Sequence, residues 1–266
     1  MKQKTSELRR IILDMIYKSK SSHIAVSFSI VEILTAIFEN ISIDKLKYQT
    51  EDRDRLIVSK GHSAAALYGI LHQNNFLSEN EIKSYCENNS ILSGHVSHFV
   101  PYVEHSTGAL GHGLPVAVGI CLGLLSKGFN SAKTFVVVGD GELNEGSNWE
   151  AIMLAGNLKL QNLYLIIDKN NLAGVGSKLD EYCSIDPLDE KFKSFNFDVK
   201  NLDGHNSSLI SSRIKEMSEI KKPKALICKT IKGKGVSFME NNNVWHYRPP
   251  GEDEYTKAKK EIKEKF

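Results

Sequence analysis

Residues 134–138 read Thr-Phe-Val-Val-Val, a continuous apolar run that stops at Gly139-Asp140-Gly141. A run of β-branched and aromatic residues without polar alternation suits a strand covered on both faces, as in a parallel sheet. Residues 163–167, Leu-Tyr-Leu-Ile-Ile, form a second such run, ended by Asp168-Lys169-Asn170-Asn171, and 225–229 form a third. Between them the spacing turns helical. Helices are predicted over 5–20, over 29–40 with Ser29 as N-cap and Glu32 three positions on, over 114–126 as a buried helix, and over 148–158. Residues 55–71 read as a short strand, a Ser-Lys-Gly-His turn and a small-residue helix. Strands alternating with helices predict an α/β fold with a parallel sheet and helices on both faces. Residues 252–266 carry Tyr255, Ala258, Ile262 and Phe266 on one helical face, predicting a C-terminal surface helix that docks by that stripe. With no repeat, low-complexity tract or linker, residues 1–266 are expected to form one domain.

Composition narrows the function. A net charge of +2 over 266 residues gives no bulk electrostatic case for nucleic acid binding. Cys86, Cys121, Cys183 and Cys228 lie far apart, which is not the spacing of a zinc site or disulfide framework, so buried reduced thiols are expected. The start, MKQKTSELRR, is too polar for a signal peptide. The longest apolar stretch, 114–125, is shorter than the roughly 20 residues a bilayer span needs. A cytoplasmic protein without membrane contact is the expectation.

The Gly-Asp-Gly loop carries the chemistry. Parallel sheets bind ligands at the carboxyl ends of their strands. Gly139 and Gly141 let backbone approach a ligand closely, and amides at the start of a following helix attract phosphate. Asp140 beside a phosphate is repulsive unless a cation lies between them, so these residue types ask for Mg²⁺ or Ca²⁺ bridging Asp140 to a diphosphate. A second hard oxygen is expected from a neighbouring strand end, and Asn170, thirty residues after Asp140, is placed to supply it.

Gly-Asp-Gly followed about thirty residues later by Asn-Asn is similar to the thiamine diphosphate motif. The wider segment GDGELNEGSNWEAIMLAGNLKLQNLYLIIDKNNL resembles the transketolase family. So do RDRLIVSKGHSAAALYGIL, SGHVSH, VEHSTGALGHG, PLDEKFKSFNFDV, DGHN, KTIKGKGVSFMENN and VWHYRPP. Length and ending resemble the N-terminal, diphosphate-binding subunit of a split transketolase whose second half is a separate chain. The resemblance implies a thiamine diphosphate-binding fold and transfer of a two-carbon ketol unit from a ketose (phosphate) to an aldose (phosphate). It implies metal ligation by Asp140, Asn170 and the carbonyl of Leu172. It implies cofactor contacts from His62, Gly108, Leu110, Gly139, Gly141, Glu142 and His246. His23, His95 and His246 are implied to face the sugar and reaction centre, and Glu145 to face its symmetry mate. Histidine suits proton shuttling among sugar hydroxyls because its charge changes near neutral pH. His72, His98, His105, His112 and His205 receive no role, although His105 and His112 flank the Gly108–Leu110 stretch.

In the family the glutamate that activates the cofactor lies in the pyrimidine-binding domain, absent here. The chain is therefore expected to need a C-terminal partner subunit, in a two-fold assembly (a heterotetramer), and to be inactive alone. The sequence departs from the family's usual pattern at Ser22, Ile24-Ala25, Val96 and His112, positions the resemblance implies lie along the substrate channel rather than at the metal site. Central pentose phosphate metabolism and a dedicated route to an unusual sugar both stay open. A different thiamine-dependent carbon–carbon bond enzyme and a non-catalytic cofactor-binding subunit stand as alternatives.

Overall fold

A computed structural model describes residues 2–174 and 178–265. Five parallel strands form one sheet: β1 (Arg55–Val58), β2 (Thr134–Gly139), β3 (Leu163–Lys169), β4 (Asp198–Asp203) and β5 (Lys224–Lys229), in the order β1-β2-β3-β5-β4. The apolar runs form β2, β3 and β5, the three central strands. Their residues alternate between two cores, because successive side chains of a strand point to opposite faces. Phe135, Val137, Tyr164, Ile166 and Leu226 pack under the helices Lys2–Ser19, Val31–Phe38, Ala64–Gln73 and Ser207–Glu216. Val136, Val138, Leu165, Ile167 and Ile227 pack under Gly113–Ser126 and Gly146–Asn157. The α/β reading with helices on both faces therefore holds.

β4 was not anticipated. Its sequence, Asp-Val-Lys-Asn-Leu-Asp, buries only Leu202 and pairs with β5 alone, so it lacks the apolar run of a central strand. The helix expected over 29–40 is Val31–Phe38, and a further helix, Ile24–Ser29, precedes it and meets it at Ile30. Ser29 caps neither. Its hydroxyl donates to the carbonyl of Val26 and to Asp168. Glu32 forms no capping box and is buried against Arg9 instead. The helix Gly113–Ser126 is not buried all round. Leu114, Ala117, Val118, Cys121 and Leu124 face the core, whereas Gly119, Leu122 and Gly123 are exposed. Of the four thiols, Cys121 and Cys228 are buried, but Cys86 and Cys183 are exposed. The C-terminal helix, Glu252–Lys265, docks as expected through Ala258, Ile262 and Tyr255, whose ring stacks on Tyr17 at 4.0 Å. Phe266 lies outside the described residues.

One buried ionic cluster ties the N-terminal helix to the loop after β5. Arg9 grips Glu32 through two N–H groups, at 2.6 and 2.8 Å, and donates from Nε to the carbonyl of Lys234. His205 Nε2 accepts from the amide of Ile231 at 2.7 Å. Its other nitrogen is therefore the protonated one, donating to Glu32 at 3.0 Å. Burial pushes the Glu32 carboxyl up, but the Arg9 charge and these hydrogen bonds outweigh it and hold the group below the usual range. Glu32→Gln removes the carboxylate paired with the buried Arg9 guanidinium, and about 3–5 kcal/mol of unfolding free energy should be lost. Urea unfolding of the two proteins compares them directly.

Candidate active site

The carboxyl ends of β1, β2, β3 and β5 open into a cleft of about 580 Å³. Concave sites of this size hold small ligands. Each wall follows from local chain geometry. After β1 the chain turns through Gly61-His62-Ser63, carrying His62 into the cleft. Gly61 must be glycine, since a Cβ there would collide with the carbonyl of Thr107. Next to it, Gly108 adopts φ 151°, a left-handed conformation that L side chains rarely take, directly beside the His95 ring. His95 is fixed by its backbone, whose carbonyl accepts from Tyr68 Oη at 3.0 Å, while the next amide, Val96, bonds to Gly61. His23, at φ 75°, heads the helix Ile24–Ser29, and its amide donates to the carbonyl of His246 at 2.9 Å.

Four histidines consequently meet. The His23 ring centroid lies 5.5 Å from His62, 5.4 Å from His95 and 5.2 Å from His246. Burial, assisted by neighbouring positive charge, lowers His23 to about 4 and His246 to about 3. Burial and then Lys60 push His62 well below its ordinary value. All three are neutral at pH 7. His246 Nδ1 is buried without a hydrogen-bond partner among the described residues.

At the other end lies the Gly-Asp-Gly loop. Asp140 accepts from the amides of Gly141, at 2.8 Å, and Asn171. Burial, then the nearby Asp168 charge, raises its carboxyl to about 6. A group so placed gains from a cation beside it. Asn170 donates to Asp168 and accepts at Oδ1 from the amide of Leu172. Glu142 is buried, with its carboxylate engaged by Ser59 Oγ and the amides of Gly111 and Gly139. It braces the two glycine loops. Glu145 is exposed at the start of the helix Gly146–Asn157, on the rim.

Every residue singled out as a site candidate lines this one cleft: His23, His62, His95, Gly108, Leu110, Gly139, Asp140, Gly141, Glu142, Glu145, Asn170, Leu172 and His246. His105 and His112 do not line it. His205 belongs to the Glu32 cluster, His98 bonds Ser106, and His72 meets the carbonyl of Leu77. Sequence reasoning missed Lys60, Lys232 and Tyr247, which also line the cleft. Lys60 pairs with Asp168. Lys232 is 1% exposed, and its ammonium donates to Asn243 Oδ1 at 2.7 Å. Burial and then Lys60 lower it to about 8, leaving a buried cation facing the cleft. Each lysine lies next to a glycine, in Ser-Lys-Gly-His or Lys-Gly-Lys-Gly, and that local setting was the available signal.

A parallel sheet whose strand ends gather two buried lysines, four histidines and a raised carboxyl beside backbone amides defines an α/β protein with a ligand cleft at its strand ends. The chain belongs to the transketolase family: the family model for the transketolase thiamine diphosphate binding domain matches residues 1–265. It is 38% identical over 267 residues to one of the subunits of apulose-4-phosphate transketolase from Actinobacillus succinogenes, covering 99% of this chain and 96% of that one. It is 31% identical over 249 residues to a 6-deoxy-6-sulfo-D-fructose transketolase subunit of a Clostridium species, covering 92% and 90%. The crystal structure of Campylobacter jejuni transketolase superposes with a TM-score of 0.90 at 30% identity, over 98% of this chain and 42% of that one. The chain thus spans about two fifths of the solved transketolase and nearly the whole of the two related subunits. Among the described residues, no helix is long and apolar enough to cross a membrane.

The histidine cluster sets the acid stability of the cofactor-free chain. Unfolded histidines protonate below about 6.5. Folded His23 stays neutral down to about 4. Between these values the unfolded chain binds more protons, so stability falls as pH falls. Thermal unfolding between pH 7 and pH 4.5 should show this decline, and His23→Asn should flatten it.

Proposed function

We propose that this chain is the diphosphate-binding subunit of a two-chain transketolase, moving a two-carbon ketol unit from a ketose to an aldose. The observation that carries the reading is one cleft with a cation-seeking acid at one end and neutral histidines at the other. Asp140, the side-chain oxygen of Asn170 and the carbonyl of Leu172 would hold Mg²⁺ or Ca²⁺, a hard-oxygen set suited to those ions. It contains only one acid, in keeping with no cluster of three His, Cys, Asp or Glu among the described residues. The Gly141 amide and the Lys232 ammonium would meet the diphosphate. His62, Gly108 and Leu110 would border the cofactor. Thiamine diphosphate, when bound, supplies the nucleophilic carbon and the electron sink for carbon–carbon cleavage.

This chain's own part is to bind, orient and move protons. Neutral His23 and His246 can accept a proton from a sugar hydroxyl and return it, which imidazolium cannot, and His95 stands beside them in the cleft. His246 Nδ1, with no protein partner among the described residues, is free for such a bond. Tyr247 borders the mouth. The names of the two related proteins refer to different sugars, and each carries an anionic group, phosphate or sulfonate. A ketose with an anionic end group is accordingly the proposed donor class.

The partner is a C-terminal subunit bearing the pyrimidine-binding domain. Its existence is supported by full-length similarity to proteins named as subunits. Two-fold assembly is supported by exposed apolar side chains on two adjacent helices, Leu122 on one and Met153 and Leu154 on the other. Isolated protein with thiamine diphosphate, Mg²⁺ and a ketose phosphate should show no turnover, and adding the partner subunit should produce it. Turnover by the chain alone would refute the split. Asp140→Ala should lower metal-dependent cofactor affinity by at least about 100-fold, the upper end of what losing an outer-shell partner costs a metal site. Calorimetry of the assembled pair measures that loss.

A further inference from the structure

We propose that Asp168 is a positioning residue for the cation, fixing which end of the Asn170 amide faces the ligand site. The inference rests on the cation reading above and concerns a residue that does not itself line the cleft. Asp168 ends β3 and is fully buried. Four donors converge on its carboxylate. Ser29 Oγ at 2.7 Å, Lys60 Nζ and Asn170 Nδ2 at 3.3 Å reach Oδ2, and Thr230 Oγ1 reaches Oδ1. An ionised carboxylate only accepts, whereas a carboxamide has a donor end and an acceptor end. The donor end of Asn170 lies on Asp168, and its Oδ1 accepts from the Leu172 amide at 3.1 Å.

Turning the amide over would set oxygen against carboxylate and NH₂ against N–H, two repulsive contacts in place of two attractive ones. The charge on Asp168 therefore dictates that a hard oxygen, not an NH₂ group, is the ligand Asn170 offers. Lys60 compensates that charge, and Ser29 and Thr230 hold the carboxylate in place. The same residue braces the other side-chain ligand, since its backbone carbonyl accepts from the Asp140 amide at 3.2 Å. A neutral carboxamide at 168 could present either end to Asn170 and would lose the selection.

The test is a Mn²⁺ titration of the full chain with its partner subunit, under saturating thiamine diphosphate, read from the paramagnetic resonance signal of free Mn²⁺. Asp168→Asn should weaken Mn²⁺ uptake by about 10- to 100-fold, as loss of an outer-shell partner does elsewhere, with excess Mn²⁺ restoring cofactor binding. Because that variant leaves Lys60 buried and unpaired, Lys60→Met combined with Asp168→Asn is measured beside it and should show the same weakening. Ser29→Ala removes a donor to the same oxygen but keeps the Asn170 contact, so its loss should be far smaller. Wild-type affinity in both Asp168 variants would overturn the inference, as would an equal loss in Ser29→Ala, which would mean general loosening. No Mn²⁺ uptake by the unmodified protein would overturn the cation reading itself, and the inference with it.

Discussion

Burying charge at the end of a parallel sheet is the constraint around which this molecule is arranged. Asp140, Asp168, Lys60 and Lys232 are each at most 2% exposed, and all gather where the strands end. An isolated buried ion is costly, so each must have a partner or await one. Asp168 has its full complement of donors within the chain. Asp140 and Lys232 do not. One is a carboxyl pushed up by burial, the other an ammonium pushed down. An ammonium and a raised acid that both lack an ion-pair partner among the described residues are what the proposed metal–diphosphate pair would meet.

The scaffold's job is to keep that imbalance from collapsing. Chain segments from well-separated parts of the sequence close the cleft, and backbone bonds join several of them: His23 to His246, Val96 to Gly61, Gly233 to Ala25. The backbones of His23, His95 and His246 are thereby held, and their rings face the cleft. The Arg9–Glu32–His205 cluster, whose residues do not line the cleft, does the same for the loop bearing Lys232 through the Ile231 amide. A rigid outer frame around under-satisfied inner groups is the arrangement that preorganised sites require.

Much of this could be read from residues alone, and the failures have physical causes. Central strands were legible because burial on both faces demands unbroken apolar runs. β4 was not, because an edge strand half open to solvent looks like a polar loop. Asp140 and Asn170 stood out because each follows a buried apolar run, whereas the histidines, ordinary in solvated loops, were picked out by the family resemblance. Lys60 and Lys232 were not, since a lysine is ordinarily a solvated surface group, and its burial depends on partners distant in sequence: Asp168 lies more than a hundred residues from Lys60. Ser29 misled for a similar reason. Its local setting fits a cap, but a buried carboxylate from another element claimed its hydroxyl.

The sheet's margins bear on how the molecule can associate. At one side β1 is only four residues long and begins with an arginine; at the other, β4 presents Asp198, Lys200, Asn201 and Asp203. Short or charged margins deter strand-to-strand recruitment of other chains. Growth of the sheet into neighbouring molecules is thus discouraged on both flanks, and any specific companion is directed to the helical surfaces, leaving the open strand ends clear for chemistry.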